Sequence, residues 1–79
     1  MNTSEATQKA HEAMDEVTVT ETEMIGHEAH QTGPVNVAET TVLFLNRDGT
    51  YCVADNGESV DNLSQDDAVR IIVENLTDE

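Results

Sequence analysis

Val42-Leu43-Phe44-Leu45-Asn46-Arg47-Asp48-Gly49-Thr50-Tyr51-Cys52-Val53-Ala54 is the stretch that decides the fold. Two apolar runs flank a polar turn. Asn46 can start a type I turn, and Gly49 can take the positive φ of a following bulge, so a hairpin turn is expected at Asn46-Gly49. In that register Leu45 faces Tyr51, Phe44 faces Cys52, Leu43 faces Val53 and Val42 faces Ala54. Side chains alternate between faces along a strand, so both faces of the hairpin are apolar. Each therefore calls for cover, one by a helix and the other by a second element or a second subunit.

C-terminal to the hairpin, Ser64 is a good N-cap, Asp67 stands at the third helical position, and Asp66 and Asp67 complement the helix dipole. Val69, Ile72, Val73 and Leu76 then recur at the i, i+3, i+4, i+7 spacing of one helical face. A helix is expected there, although β-branched Val69, Ile71, Ile72 and Val73 would also suit a strand. Towards the N-terminus, Glu5 to Glu16 holds good helix formers, with Ala6, Ala10, Ala13 and Met14 on one side. Those side chains are small and bury little area, so this helix is the weaker of the two, and residues 1–16 are expected to fray or be disordered in isolation. Val17 to Ile25 alternates and is rich in β formers, which predicts a strand with Val17, Val19 and Ile25 sharing a face with Glu21 and Glu23. Gly26 to Pro34 reads as a loop, and Val35 to Glu39 as the approach to the hairpin.

The expected fold class is thus α+β, in the order α, β, β, β, α. A small antiparallel sheet of two to three strands carries the C-terminal helix on one face, within one domain spanning residues 1–79. Val42 to Leu45, Tyr51 to Ala54 and Ala68 to Leu76 hold most of the large apolar side chains, so the core comes mainly from the second half. A chain this short has marginal stability unless something else supports it. Cys52 is the sole cysteine, which excludes an internal disulfide and reads as a small core residue.

Charge is the other strong signal. Seventeen carboxylates stand against Lys9, Arg47 and Arg70, a net charge of -14. Residues 1–33 carry seven acids and one Lys, and residues 34–79 carry ten acids and two Arg, so the acidity is a coating rather than a tail. It disfavours direct contact with nucleic acid or an anionic membrane and favours basic partners. No run approaches the roughly twenty apolar residues of a membrane span, and no signal peptide is apparent at the N-terminus, so a cytoplasmic protein is expected.

Motifs for chemistry are few. His27-Glu28-Ala29-His30 spaces its histidines three apart, not the four of a helical zinc motif, and His11 would be needed as a third ligand. These three histidines are weak candidates, and no metal or other cofactor is expected. Asp55-Asn56-Gly57-Glu58-Ser59-Val60-Asp61 lacks the alternate acids and closing glutamate of a calcium loop. Asp55-Asn56-Gly57 reads as a turn, and Asp61 as the approach to the final helix. Cys52 lies in an inner strand without the electropositive setting that activates a thiol. No nucleophile elbow or phosphate loop occurs, and an enzyme is not expected.

What remains is the carboxylate surface. Residues two apart on a strand project from one face at about 6.8 Å, so Glu21 and Glu23 would present charges at a spacing comparable to successive phosphates. Asp15 and Glu16, with Asp61, Asp66 and Asp67, would extend the pattern into a partner-binding stripe. In size and charge alone the chain resembles the small acidic proteins that phages and mobile elements make to block host nucleases or transcription. That resemblance implies an inhibitor or decoy that mimics nucleic acid and occupies a basic surface of a nucleic-acid-binding protein. The competing expectation is a salt-adapted structural or adaptor domain, joined as a homodimer through an apolar hairpin face, whose acidity serves solubility only.

Overall fold

Around Asn46 the chain closes as its residues dictate. Asn46 N–H donates to Thr50 O (2.8 Å) and Gly49 N–H to Asn46 O (3.0 Å), with Gly49 at φ +88. The computed structural model describes residues 1–78. Its elements are α1 Thr3–Glu16, β1 Glu21–Ile25, β2 Glu28–Thr32, β3 Val35–Asn36, β4 Thr41–Leu45, β5 Tyr51–Asp55, β6 Glu58–Leu63 and α2 Gln65–Thr77. The fold is α+β with a C-terminal helix, as expected. β4 and β5 pair in the expected register, Leu45 with Tyr51 through to Val42 with Ala54.

Among the described residues the strands number six rather than two or three, in two antiparallel sheets. One has the order β3-β4-β5-β6. Its last hairpin turns on Asn56 and Gly57, both at positive φ, the left-handed pair that a type I′ turn requires. That turn sends the chain back as β6, so Asp61 lies on a strand rather than on a helical approach. Between Tyr51 and Val53 the pairing with β6 slips, because Asp61 and Asn62 stand against Cys52 alone. Asn62 takes φ +56 there, a two-against-one bulge that redirects the strand.

β1 and β2 form the second sheet, a two-stranded arm whose ten residues are all exposed. Gly26 to Pro34 therefore contains a strand and is not a simple loop. Gly26 (φ +64) opens the two-residue turn Gly26-His27 at the position where a type II′ turn favours glycine. The expected shared face of Val17, Val19 and Ile25 does not form. Val17 is buried as the residue closing α1, Val19 makes only a bridge to Leu45, and Ile25 is 58 % exposed on the arm. A period of two required one continuous strand, and the helix exit interrupts it. Cα radius of gyration is 12.8 Å, against about 12 Å for a compact chain of this length. The elongation fits an arm that no other element buries.

Both helices cover one face of the four-stranded sheet, α2 over β5 and β6, and α1 beside α2 and over β3. Ser64 caps α2 by accepting from Asp67 N–H (3.2 Å), while the Asp67 carboxylate accepts from Arg70 Nη2 (3.1 Å). Asn2 caps α1 in the same way, its Oδ1 accepting from Glu5 N–H at 2.8 Å. Ala6, Ala10 and Ala13 of α1 and Ala68 of α2 are buried, and side chains so small let helix axes approach closely. Leu43, Ile72 and Val53 are the largest wholly buried apolar side chains, so the bulk of the core does come from the second half. Buried Thr41 is satisfied by Asp55, whose Oδ1 accepts from the hydroxyls of Thr41 (3.1 Å) and Thr40 (2.9 Å). Among the described residues no helix is long and apolar enough to cross a membrane.

Candidate partner-binding surface

The paired row Leu45, Tyr51, Leu63 marks one end of the main sheet. Asp15 and Glu16 close α1 just before Val19 bridges to Leu45, Glu21 follows Thr20, whose N–H donates to Leu45 O (2.9 Å), and α2 begins two residues after Leu63. Topology thus gathers Asp15, Glu16, Glu21, Asp61, Asp66 and Asp67 towards this end. Glu23 stands farther out on the arm, opposite His30. Arg47 in the nearby turn and Arg70, paired with Asp67, are set among these acids. Carboxylates also stand at the opposite end, on Glu5, Glu39, Asp55, Glu58, Glu74 and Asp78. The coating wraps the fold.

The three histidines lie on separate features: His11 on α1, His27 in the arm's turn, and His30 on β2 with Nε2 3.6 Å from Glu28 Oε2. Among the described residues no three His, Cys, Asp or Glu side chains assemble into a group that would hold a metal ion.

The sheet's second face is where the structure adds most. Phe44 of β4 and Cys52 and Ala54 of β5 project away from both helices and are only half-buried. With Ser59 and Asp61 of β6, Glu58, Asn46, Gly57, Thr20 and Gln31, they line an open groove of about 490 Å³. Gln31 reaches it from the base of the arm. On the arm, Gln31 shares a face with Thr22, Met24 and Ala29, whereas Glu21 and Glu23 project from the other face. The sequence called for cover on both hairpin faces; α2 supplies one, and the groove leaves the other open.

Polar groups at the groove are arranged around the β6 bulge. Asp61 Oδ1 accepts from Asn46 Nδ2 (2.8 Å) and from Asn62 N–H (2.8 Å), tying β6 to the β4–β5 turn. Its Oδ2 is in neither bond. Thr20 Oγ1 is buried without a hydrogen-bond partner among the described residues. Burial pushes the Cys52 thiol above its ordinary pKa, and the negative charge of Asp61 adds to the shift, so the thiolate is disfavoured. In the turn, Thr50 donates to Asp48 Oδ1 from its hydroxyl (2.6 Å) and its N–H (2.9 Å), which holds the Asp48 carboxyl below the usual range.

Glu58, Thr20, Gln31 and the exposed side of Phe44 escape sequence reasoning. One signal was present: Asn56-Gly57 followed by Glu58-Ser59-Val60 is a hairpin turn with a strand behind it, and that strand supplies Glu58 and Asp61 to the groove. No family model, curated protein or solved structure matches the chain.

Proposed function

We propose that this chain is a non-catalytic acidic binding protein of the cytoplasm that occupies a basic surface of a protein partner, as an inhibitor or decoy for a nucleic-acid-binding protein. The observation that carries the reading is uncompensated charge. Among the described residues, the single ion pair between a carboxylate and Lys or Arg is Asp67 with Arg70. Such a surface steers cationic partners over distances set by the salt concentration. Long-range attraction, not a catalytic constellation, is the chemistry at hand.

A second reading is favoured by the placement of carboxylates at both ends of the sheet, which suits a salt-adapted adaptor domain whose acidity serves hydration. One experiment separates the two. Partners are captured on the immobilised chain from extract of its native cell at low salt, and the captured protein is tested for nucleic-acid binding with and without the free chain. A decoy folds at low salt, captures a basic protein that salt elutes, and competes with its nucleic acid. Alanine at Glu21, Glu23, Asp66 and Asp67 together removes four negative charges, lowers the long-range attraction and so weakens that competition. Loss of compact structure as salt is removed, with no basic protein captured at any salt where the chain is folded, would establish the second reading instead.

A further inference from the structure

We propose that the groove over Phe44, Cys52 and Ala54 receives a short basic segment of the partner, one that carries a large apolar side chain between Lys or Arg residues. This rests on the basic-partner reading and gives it a place and a chemical class. The floor is apolar: Phe44, Cys52 and Ala54 lie side by side through the register Phe44 to Cys52 and Val42 to Ala54. The rim is acidic: Glu58 is exposed, and Asp61 keeps Oδ2 outside its two hydrogen bonds. An apolar floor beside carboxylates matches a segment that is apolar at its centre and cationic at its flanks.

Charge also decides against a second copy of this chain as the occupant. Two copies joined through this face would meet isologously, each presenting the same patch to the other. Glu58 and Asp61 of each would then confront an equally acidic surface, between molecules that each carry a net charge of -14. Like charges brought together in a desolvated contact oppose assembly. A basic segment turns the same carboxylates into complementary contacts.

Two peptides of equal charge isolate the claim, Lys-Lys-Leu-Leu-Lys-Lys and Lys-Lys-Ser-Ser-Lys-Lys, each labelled for anisotropy and titrated with the full chain at a salt concentration where it is folded. Burying leucine on the groove floor is expected to make the first bind about tenfold tighter than the second. Phe44→Ala reduces that preference to about twofold or less and leaves the serine peptide unchanged. Glu58→Gln, at an exposed position that does not endanger folding, weakens the leucine peptide severalfold and flattens its salt dependence. The leucine peptide also slows reaction of Cys52 with a thiol reagent, and the serine peptide does not. Equal affinity for the two peptides would overturn the groove assignment while leaving the basic-partner reading intact. Binding of neither would overturn both. A dimer that Phe44→Ala dissociates would assign the face to a second copy and overturn the proposal.

Discussion

Gly33→Ala tests how the arm is anchored. Gly33 sits at φ +110, and a Cβ at that position would lie 2.6 Å from both Thr18 O and Val19 O and 2.9 Å from Val19 C. These are backbone atoms of the segment leaving α1, held in place by Thr18 N–H donating to Gly33 O at 3.2 Å. The methyl group cannot be accommodated by a side-chain rotation, so the helix exit must separate from the end of β2. Backbone strain at a positive φ costs about 1–3 kcal/mol, and the lost contact raises the total to about 3 kcal/mol or more. With an unfolding entropy of about 0.17 kcal/mol/K for a chain this size, the melting temperature is expected to fall by about 18 °C. Gly26→Ala is the control, because Gly26 has φ +64 and a methyl group added to it meets nothing within 4 Å; it costs about 1 kcal/mol and about 6 °C. Thermal melts followed by circular dichroism at one fixed salt concentration compare the two. A Gly33→Ala melt no lower than that of Gly26→Ala would refute the close approach of the arm to the helix exit.

Further outcomes follow from the same packing. Ile72→Ala removes a wholly buried side chain from α2 and is expected to cost about 2–5 kcal/mol in chemical denaturation, whereas Ser64→Ala, which loses the cap on Asp67 N–H, costs about 1 kcal/mol. Thr20→Val replaces a buried hydroxyl that has no partner among the described residues and is expected to leave stability unchanged or raise it by about 1 kcal/mol; a clear loss would reveal a hydrogen bond. Asp48 is held below its ordinary pKa by Thr50, so the stability it contributes is complete above the ordinary aspartate range and is lost as pH falls through the lower folded value, in acid below about pH 4. Carboxyl NMR titration should find Asp48 low, and Thr50→Val should raise it. The Cys52 thiol is pushed up by burial and by Asp61, so alkylation near pH 8 is expected to be slower than in the unfolded chain and faster in Asp61→Asn.

Strong local chemistry made part of this fold legible. The Asn46-Gly49 turn and the alternation on either side of it determine the β4–β5 register, because a slip of one residue would exchange the two faces. Ser64 similarly marks the start of α2, where β-branched residues argued for a strand; Ala68, Ile72 and Leu76 form its buried stripe. Other elements were obscured because no apolar pattern announces them. β2, Glu-Ala-His-Gln-Thr, is exposed throughout, so it has no buried face to impose a period of two, and only the Gly26-His27 turn and pairing with β1 define it. β6 is nearly as polar, with Leu63 alone buried, and its bulge breaks the alternation near Asn62. α1 shows the converse: alanines that promise little buried area are enclosed because α2 lies against them, which is a property of the tertiary arrangement. The acidic residues were plain in the sequence. Their relation to an open apolar face was not, because it depends on β6 returning beside β5.

Backbone amide shifts on addition of Lys-Lys-Leu-Leu-Lys-Lys to the isotope-labelled chain test the central claim most directly. A basic segment seated on the outer sheet face is expected to move Phe44, Cys52, Ala54, Ser59 and Asp61 most, saturably, with little change along the outer faces of α1 and α2. Shifts centred on Glu12, Asp67 and Glu74, or small shifts spread over every acidic element, would contradict it.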